Sequence, residues 1–146
     1  MKNLIWLIIS ILLIGGEVIA ADFTDNGDDT VTDNRTDLVW QKEDDGITRT
    51  WESAISYCEG LTLGGMSDWR LPNIRELESI INSGTSYPAI DTTFFPNTNS
   101  SYYYWSSTTL AYNANYALSV YFGLGRIGGY YKSDYYYYVR CVRGGQ

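Results

Sequence analysis

The sequence predicts an α+β domain, and the order of its patterned segments supports this fold class. Residues 30–41 contain two β-type runs, residues 51–61 and 73–81 have helical periodicity, and residues 102–143 contain several short β-type runs. Strands grouped before and after a pair of helices favour an antiparallel sheet, because a parallel sheet needs strands and helices that alternate. We therefore expect two helices packed against a twisted antiparallel sheet.

The first 20 residues have the pattern of an export signal. Lys2 supplies a positive start, residues 4–14 form an apolar run, and small residues precede a cleavage site after Ala20. A membrane anchor is the alternative, but a run of 11 residues is well short of the roughly 20 that a spanning helix needs. We expect cleavage and a mature chain, residues 21–146, that has no membrane span and forms one domain.

The charge of the chain limits its partners. A formal net charge of −7 argues against nucleic-acid binding, which depends on Lys and Arg neutralising phosphates. Acidic side chains concentrate in residues 21–60, whereas residues 101–146 contain Asp134 as their one acid beside four bases. This asymmetry can orient a ligand, but an ordinary solvated surface is the preferred explanation.

The first predicted element is a β-hairpin at residues 30–41, where two β-rich runs flank a polar turn. The preceding residues 25–29 are rich in Asp, but they lack the alternating ligands and the distant Glu of an EF-hand loop. We interpret this segment as a turn and expect no metal ligands in the chain; a structural metal bound near this segment is the alternative.

Two helices are predicted from apolar spacing and capping residues. The first runs from Trp51 to Leu61 with Thr50 as its N-cap, and it places Cys58 on its apolar face. The second begins at Asn73, which forms a capping box with Glu76. The apolar positions are Trp51, Ala54, Ile55, Cys58 and Leu61 in the first helix and Ile74, Leu77, Ile80 and Ile81 in the second.

After an ordered loop at residues 85–99, short β-type runs separated by Gly, Asn and Ser turns fill the rest of the chain. Such a series is typical of an antiparallel sheet. The four predicted strands are Tyr102–Thr108, Tyr116–Phe122, Arg126–Tyr131 and Tyr136–Arg143.

The two cysteines, Cys58 and Cys141, are expected to form a disulfide, because an exported chain folds in an oxidising compartment. The disulfide would close the long loop between Cys58 and Cys141, and the chain-entropy model gives such a closure a stabilisation of about 4 to 5 kcal/mol. The sequence contains no His. A Cys/His nucleophile pair and a typical zinc site are therefore both weak alternatives.

Four sequence blocks, in order along the chain, resemble the signature blocks of one bacterial family. This family is the Legionella collagen-like protein C-terminal domain, also called domain of unknown function 1566. The blocks are residues 30–34 with 38–41 (TVTDN and LVWQ), 67–73 (SDWRLPN), 104–108 (YWSST) and 138–143 (YVRCVR).

The resemblance implies a C-type-lectin-like fold, in which a disulfide similar to Cys58–Cys141 joins the first helix to the last strand. It also implies a recognition role, since members include adhesin domains that bind sulfated polysaccharides. Relatives of the fold serve as variable proteins of diversity-generating retroelements, and residues 110–137 have a composition compatible with that use. The fold alone does not decide between these functions.

The candidate binding residues lie in a tyrosine-rich region. All of the fourteen tyrosines except Tyr57 and Tyr87 lie between residues 102 and 138, interleaved with Asn, Ser and Gly. Tyrosine gives rigid contact area and the small polar residues give adaptable hydrogen bonds, which is typical of a binding surface. Alternation along strands predicts that part of this set is core, mainly Tyr104, Trp105, Phe122 and Val139. The predicted exposed ligand-binding residues are Tyr112, Asn113, Asn115, Tyr116, Tyr121, Arg126, Tyr130, Tyr131 and Tyr135.

No catalytic site is expected. Adjacent acids such as Asp44 and Asp45 are ordinary surface residues unless they converge in a pocket, and a formylglycine-generating type of chemistry needs cysteines that are free to react. Calcium-bridged sugar binding needs carboxylates that the corresponding segments lack. We expect no enzyme activity, no metal and no cofactor.

The sequence therefore favours an exported recognition module, secreted, periplasmic or on the cell surface, that binds a glycan or a protein through a tyrosine-rich face built from residues 110–137. A retroelement variable protein is a special case of this hypothesis. The alternative is a structural envelope protein whose tyrosines pack against neighbouring subunits, which leaves oligomerisation open.

Overall fold

The computed structural model describes residues 12–14, 17–19 and 21–145. Strands β1 (Leu12–Ile14) and β2 (Glu17–Ile19) pair antiparallel. The predicted export signal spans residues 1–20, and its other residues lie outside the described ones. Its cleavage stays a prediction. From residue 21 onward the chain forms two helices, two antiparallel sheets and one disulfide, as the predicted α+β class requires.

The first sheet has the order β3-β4-β5-β9. Its central pair is the predicted hairpin, in which Val31 lies opposite Trp40 and both side chains are fully buried. A strand that the sequence did not predict, β3, extends this sheet, and the Asp-rich segment is the turn between β3 and β4, as expected. The strands are β3 (Phe23–Asp25), β4 (Thr30–Asp33), β5 (Leu38–Gln41) and β9 (Val142–Arg143).

Both predicted helices form, with shorter bounds. Helix α1 spans Trp51–Glu59, and the Thr50 side chain donates to the Ser53 hydroxyl instead of capping the helix. Helix α2 spans Ile74–Ser79 and has the predicted capping box between Asn73 and Glu76. It ends before the two isoleucines assigned to its stripe, although Ile80 is still buried and Ile81 still packs on the core.

The second sheet has the order β6-β7-β8 and continues directly from the long loop. The prediction that Tyr136–Arg143 forms the last strand of this sheet was wrong. Its first half makes isolated bridges from Tyr137 to Arg49 and from Tyr138 to Tyr104, and its end pairs with β5 in the first sheet. The strands are β6 (Tyr103–Leu110), β7 (Asn113–Tyr121) and β8 (Arg126–Tyr131).

The predicted disulfide between Cys58 and Cys141 is present, and both residues are fully buried. It joins α1 to the residue before β9 across a sequence separation of 83. The bond lies in one of two hydrophobic cores, together with Trp69, Trp105 and Val139. The other core lies between the first sheet, α2 and strands β6 and β7, and includes Trp40, Leu77, Tyr104 and Phe122. The four residues predicted from alternation to be core are therefore buried.

A buried ion pair links the two sheets. The Arg140 side chain is 0% exposed and that of Asp44 is 2% exposed, with 3.5 Å between Nη2 and Oδ2. Arg140 also donates to the carbonyls of Gln41 and Lys42. The Tyr104 hydroxyl donates to the Asp44 carboxylate at 2.5 Å. Because both charges have partners, their burial is tolerated.

Replacing Asp44 by Ala should lower the free energy of unfolding by about 3 to 5 kcal/mol, because it leaves the buried Arg140 charge without its carboxylate. Urea denaturation of the purified protein measures this loss. The exposed Glu78→Ala variant is the control and should change stability by no more than about 0.5 kcal/mol. Similar losses in both variants would contradict a structural role for the ion pair.

The Glu76 carboxylate should make stability depend on pH. Burial disfavours its charged form, but the ion pair with Arg70 at 2.7 Å and the Asn73 N–H outweigh burial and lower the pKa of Glu76. A pKa lowered by folding gives stability above the unfolded value, near 4.5, that is lost as pH falls through the folded value. Denaturation between pH 5 and pH 3 should show a shallower decline for Glu76→Gln than for the wild type, and equal slopes would contradict this account.

Candidate ligand-binding site

Strand alternation divides the tyrosine-rich region between the two faces of the β6-β7-β8 sheet. Tyr121 lies opposite Tyr103 and Arg126, and Tyr130 lies opposite Ala117; we call this side the first face. Val120 lies opposite Tyr104 and Ile127, and Tyr116 lies opposite Tyr131; this is the second face. Residues on different faces cannot contact one flat ligand together.

The first face holds a group of tyrosines whose rings are in mutual contact, which we call the tyrosine cluster. The Tyr103 ring centroid lies 5.3 Å from that of Tyr121, 4.6 Å from that of Tyr130 and 5.2 Å from that of Tyr137. Tyr135 completes the group, at 5.2 Å from Tyr130 and 5.7 Å from Tyr137. Ring pairs at these separations stabilise each other, so the cluster is an organised surface.

The floor of the tyrosine cluster is rigid. Tyr137 is 6% exposed, and its ring packs 4.8 Å from that of the fully buried Trp105. The Tyr137 backbone exchanges two hydrogen bonds with Arg49, and the Trp105 indole donates to the Arg49 carbonyl at 2.8 Å. The other cluster rings therefore rest on a fixed layer. Tyr135 is 42% exposed, and Tyr103, Tyr121 and Tyr130 are half-buried.

A glycine makes room for one of these rings. A Cβ atom on Gly128 would lie 2.6 Å from Tyr130 Cε2, which is much closer than a van der Waals contact. The Tyr130 ring therefore lies across the space that a side chain at residue 128 would occupy. The neighbouring Gly129 is different, because its Cβ would meet Leu110 at an ordinary 3.5 Å on the second face.

Two phenols of the tyrosine cluster, those of Tyr130 and Tyr137, are uncharged at neutral pH. Burial, followed by the nearby phenol of Tyr103, raises the pKa of Tyr130 to about 12. Burial also raises the pKa of Tyr137. Both phenols therefore remain neutral, and each hydroxyl is able to donate and to accept a hydrogen bond.

The second face carries a different set of predicted residues. Tyr112 is 88% exposed and, with Asn113, lines an open groove of about 450 Å³ whose floor includes Gly128 and Gly129. Tyr116 also lines this groove, and its ring packs at a tilt against that of Tyr131, with the centroids 4.1 Å apart. This half of the second face lies outside the core that packs on α2.

The nine predicted ligand-binding residues are therefore not brought together. Tyr121, Tyr130 and Tyr135 join the tyrosine cluster, and Arg126 stands beside Tyr121 at the end of the first face. Asn115 lines a separate cleft of about 570 Å³ with Trp51 and Lys132. The second face takes Tyr112, Asn113, Tyr116 and Tyr131.

Two members of the tyrosine cluster, Tyr103 and Tyr137, were not among the predicted residues. Tyr103 lies two residues before Trp105 on β6, and two-residue alternation places both on one face. That spacing was visible in the sequence. No local signal identifies Tyr137, because its position depends on a bridge to Arg49, which is 88 residues away in the chain.

The geometry defines a disulfide-linked α+β domain with an exposed aromatic face. Within the described residues, no three His, Cys, Asp or Glu side chains are grouped to hold a metal ion. Neither of the helices described there has the length and apolar character of a membrane-spanning segment. The Lcl C-terminal domain family model matches residues 29–143, and the chain belongs to this family. This confirms the family resemblance found in the sequence. No curated protein matches the chain.

Replacing Gly128 by Ala should push the Tyr130 ring out of the tyrosine cluster. The expected cost is about 1 to 3 kcal/mol, as for other overpacked sites, with a changed near-ultraviolet circular dichroism signal from the tyrosines. The adjacent Gly129→Ala variant is the matched control and should leave the aromatic signal unchanged. An unaltered spectrum for Gly128→Ala would show that the ring does not depend on this glycine.

Proposed function

We propose that the protein is an exported recognition module without enzymatic activity, and that it binds a glycan or a protein ligand through the tyrosine cluster. The observation that carries this proposal is the contact network of Tyr103, Tyr121, Tyr130 and Tyr135 above a buried floor. Such a surface is organised before a ligand arrives, so little side-chain entropy is lost on binding.

The chemistry of the tyrosine cluster suits both ligand types. Aromatic faces stack on the apolar faces of sugar rings or on peptide side chains, while the neutral hydroxyl groups exchange hydrogen bonds with ligand hydroxyls or amides. Arg126 at the end of this face has no ion-pair partner within residues 21–145, and it adds a single positive charge. Aromatic contact rather than charge therefore dominates the proposed binding.

The absence of enzymatic activity is part of the proposal. The sequence has no His, and both of its cysteines are engaged in the disulfide. The carboxylates considered in the sequence have other partners: Asp44 binds Arg140 and Tyr104, Asp45 binds Arg49, and Glu76 caps α2. None of these pairings provides a nucleophile beside a free general base.

The finer assignment of the fold as C-type-lectin-like is also part of this proposal. A disulfide from α1 to the segment before the last strand supports it, as does the pairing of that strand with the N-terminal hairpin. A diversity-generating retroelement variable protein remains a special case. An adenine-rich template repeat beside the gene would support that case, and its absence would remove it.

We place the protein outside the cytoplasm, as a secreted, periplasmic or surface component. The buried disulfide supports this location, because such bonds persist in oxidising compartments. The second candidate function is a structural envelope protein that assembles with neighbouring subunits. Exposed apolar side chains on and beside the second face favour this candidate, namely Tyr112, Leu124, Ile127 and Tyr131.

The paired substitution Tyr121→Ser and Tyr135→Ser should weaken ligand binding at least tenfold, because anchors of this kind contribute more than about 1.4 kcal/mol together. The measurement is binding of the protein, produced from its full 146-residue sequence, to a broad array of glycans, polysaccharides and surface proteins. The matched control is Tyr112→Ser with Tyr116→Ser, which removes two tyrosines from the second face and should bind like the wild type.

Salt separates the two physical sources of affinity in the same assay. Binding through aromatic stacking should persist at 1 M salt, where the Debye length is about 3 Å, whereas charge-driven binding should be lost.

An equal loss of binding in both paired tyrosine variants would contradict the assignment of the site to the first face. Absence of any binding by the folded wild type would favour the structural candidate.

A further inference from the structure

The outer edge of strand β8 is open. In the order β6-β7-β8, this strand pairs with β7 alone, and within residues 21–145 no other backbone or side-chain group bonds to its main chain. The Lys132 N–H donates to the Asn115 carbonyl at 2.9 Å, which continues the same ladder by one residue. Because hydrogen-bonded pairs alternate along an antiparallel ladder, the main-chain groups of Ile127, Gly129 and Tyr131 point away from β7.

This edge lacks the features that usually prevent strands from associating. The register with β7 runs from Arg126 to Tyr131 without a bulge, the strand contains no Pro, and its charged residues, Arg126 and the following Lys132, lie at its two ends. Ile127 is 43% exposed and Tyr131 is 41% exposed, with Gly129 between them. An open, regular edge with apolar side chains is a template for pairing with another strand.

We infer that β8 is an interface at which two copies of this chain pair antiparallel, joining their three-stranded sheets into one six-stranded sheet. With the two-fold axis near Gly129, the outward-pointing groups of Ile127 and Tyr131 in one copy meet those of Tyr131 and Ile127 in the other. Each such pair places a β-branched side chain beside an aromatic ring, which is a favourable cross-strand combination. Gly129, at the two-fold axis, has no side chain, which leaves the Tyr131 rings of both copies room to lie along the sheet.

Charge at the ends of the strand favours the same occupant. Arg126 lies at one end of β8 and Asp134 lies just beyond the other, so antiparallel pairing brings each arginine near the aspartate of the second copy. Lys132 does not oppose this contact, because its ammonium lies 3.9 Å from the Trp51 ring centroid and donates to the Thr109 hydroxyl. With the axis at Gly129, Lys132 lies directly opposite Arg126 and Asp134 lies two residues beyond it, so the charge contact that favours pairing is the diagonal one between Arg126 and Asp134.

This arrangement has a consequence for binding that is independent of the ligand. Cross-strand partners lie on the same side of a sheet, so both tyrosine clusters would lie on one continuous face. Two sites on one face allow a repetitive ligand to be bound twice, which raises the overall affinity without new contacts. The inference itself does not depend on the proposed recognition function, since it concerns the strand edge alone.

Sedimentation of the protein produced from its full sequence tests the interface. The wild type should have the mass of two chains at high concentration and dissociate on dilution. Ile127→Lys should have the mass of one chain, because a lysine at this exposed edge position opposes pairing. The matched control, Ile47→Lys, changes an isoleucine that is 55% exposed outside β8, and it should remain a dimer. Circular dichroism should show the same fold in all three proteins.

Charge reversal tests the antiparallel direction. Arg126→Asp and Asp134→Arg should each weaken the dimer several-fold, and the double variant should restore it. A single-chain mass for the wild type at every concentration would overturn the inference, as would a dimer that survives Ile127→Lys. Failure of ligand binding with an intact dimer would instead count against the proposed function and leave this inference standing.

Discussion

Arg140 is fully buried, and its guanidinium group faces the Asp44 carboxylate while it donates to the carbonyls of Gln41 and Lys42. A buried charge is tolerated only where its partners are fixed, so this contact constrains every segment that supplies one. The Tyr104 hydroxyl, on β6, binds the same carboxylate and connects the second sheet to the pair. The two sheets of the domain are thereby held in one arrangement.

The segment that contains Arg140 connects nearly all parts of the domain within the six residues from Tyr137 to Val142. Tyr137 bridges to Arg49, Cys141 bonds to Cys58 in α1, and Val142 pairs with both Trp40 and Arg70. These contacts join residues far apart in the sequence, and the covalent one among them, the disulfide, also restricts the unfolded chain. The disulfide and the ion pair therefore act on the same segment, one by covalent linkage and one by burial.

The candidate site depends on this segment. Tyr137 forms the floor of the tyrosine cluster, and its backbone position is set by Arg49 and by the residues that follow it. Tyr130 then lies over Gly128 and contacts the floor, which leaves its ring organised but partly exposed. A recognition surface built in this way belongs to the scaffold itself, which explains how a sheet rather than a flexible loop can present it.

Family membership is shown over most of the chain, whereas the proposed functions rest on the geometry of two surfaces. The match to the Lcl C-terminal domain family covers residues 29–143, which include every described element from β4 onward. The proposed ligand-binding role rests on the tyrosine cluster, and the inferred self-association rests on the open edge of β8. These two surfaces share Arg126, but Tyr121 and Tyr135 belong to the tyrosine cluster alone and Ile127 belongs to the β8 edge alone. The sequence by itself determined the elements with local signals: the hairpin at residues 30–41, the capping box of Asn73 and Glu76, and the cysteine pair. Tertiary structure alone decided that the last strand joins the first sheet and that the predicted binding residues lie on two faces. The reason is physical, because caps and periodicity depend on neighbouring residues, whereas strand partners and faces depend on contacts between residues far apart in the chain.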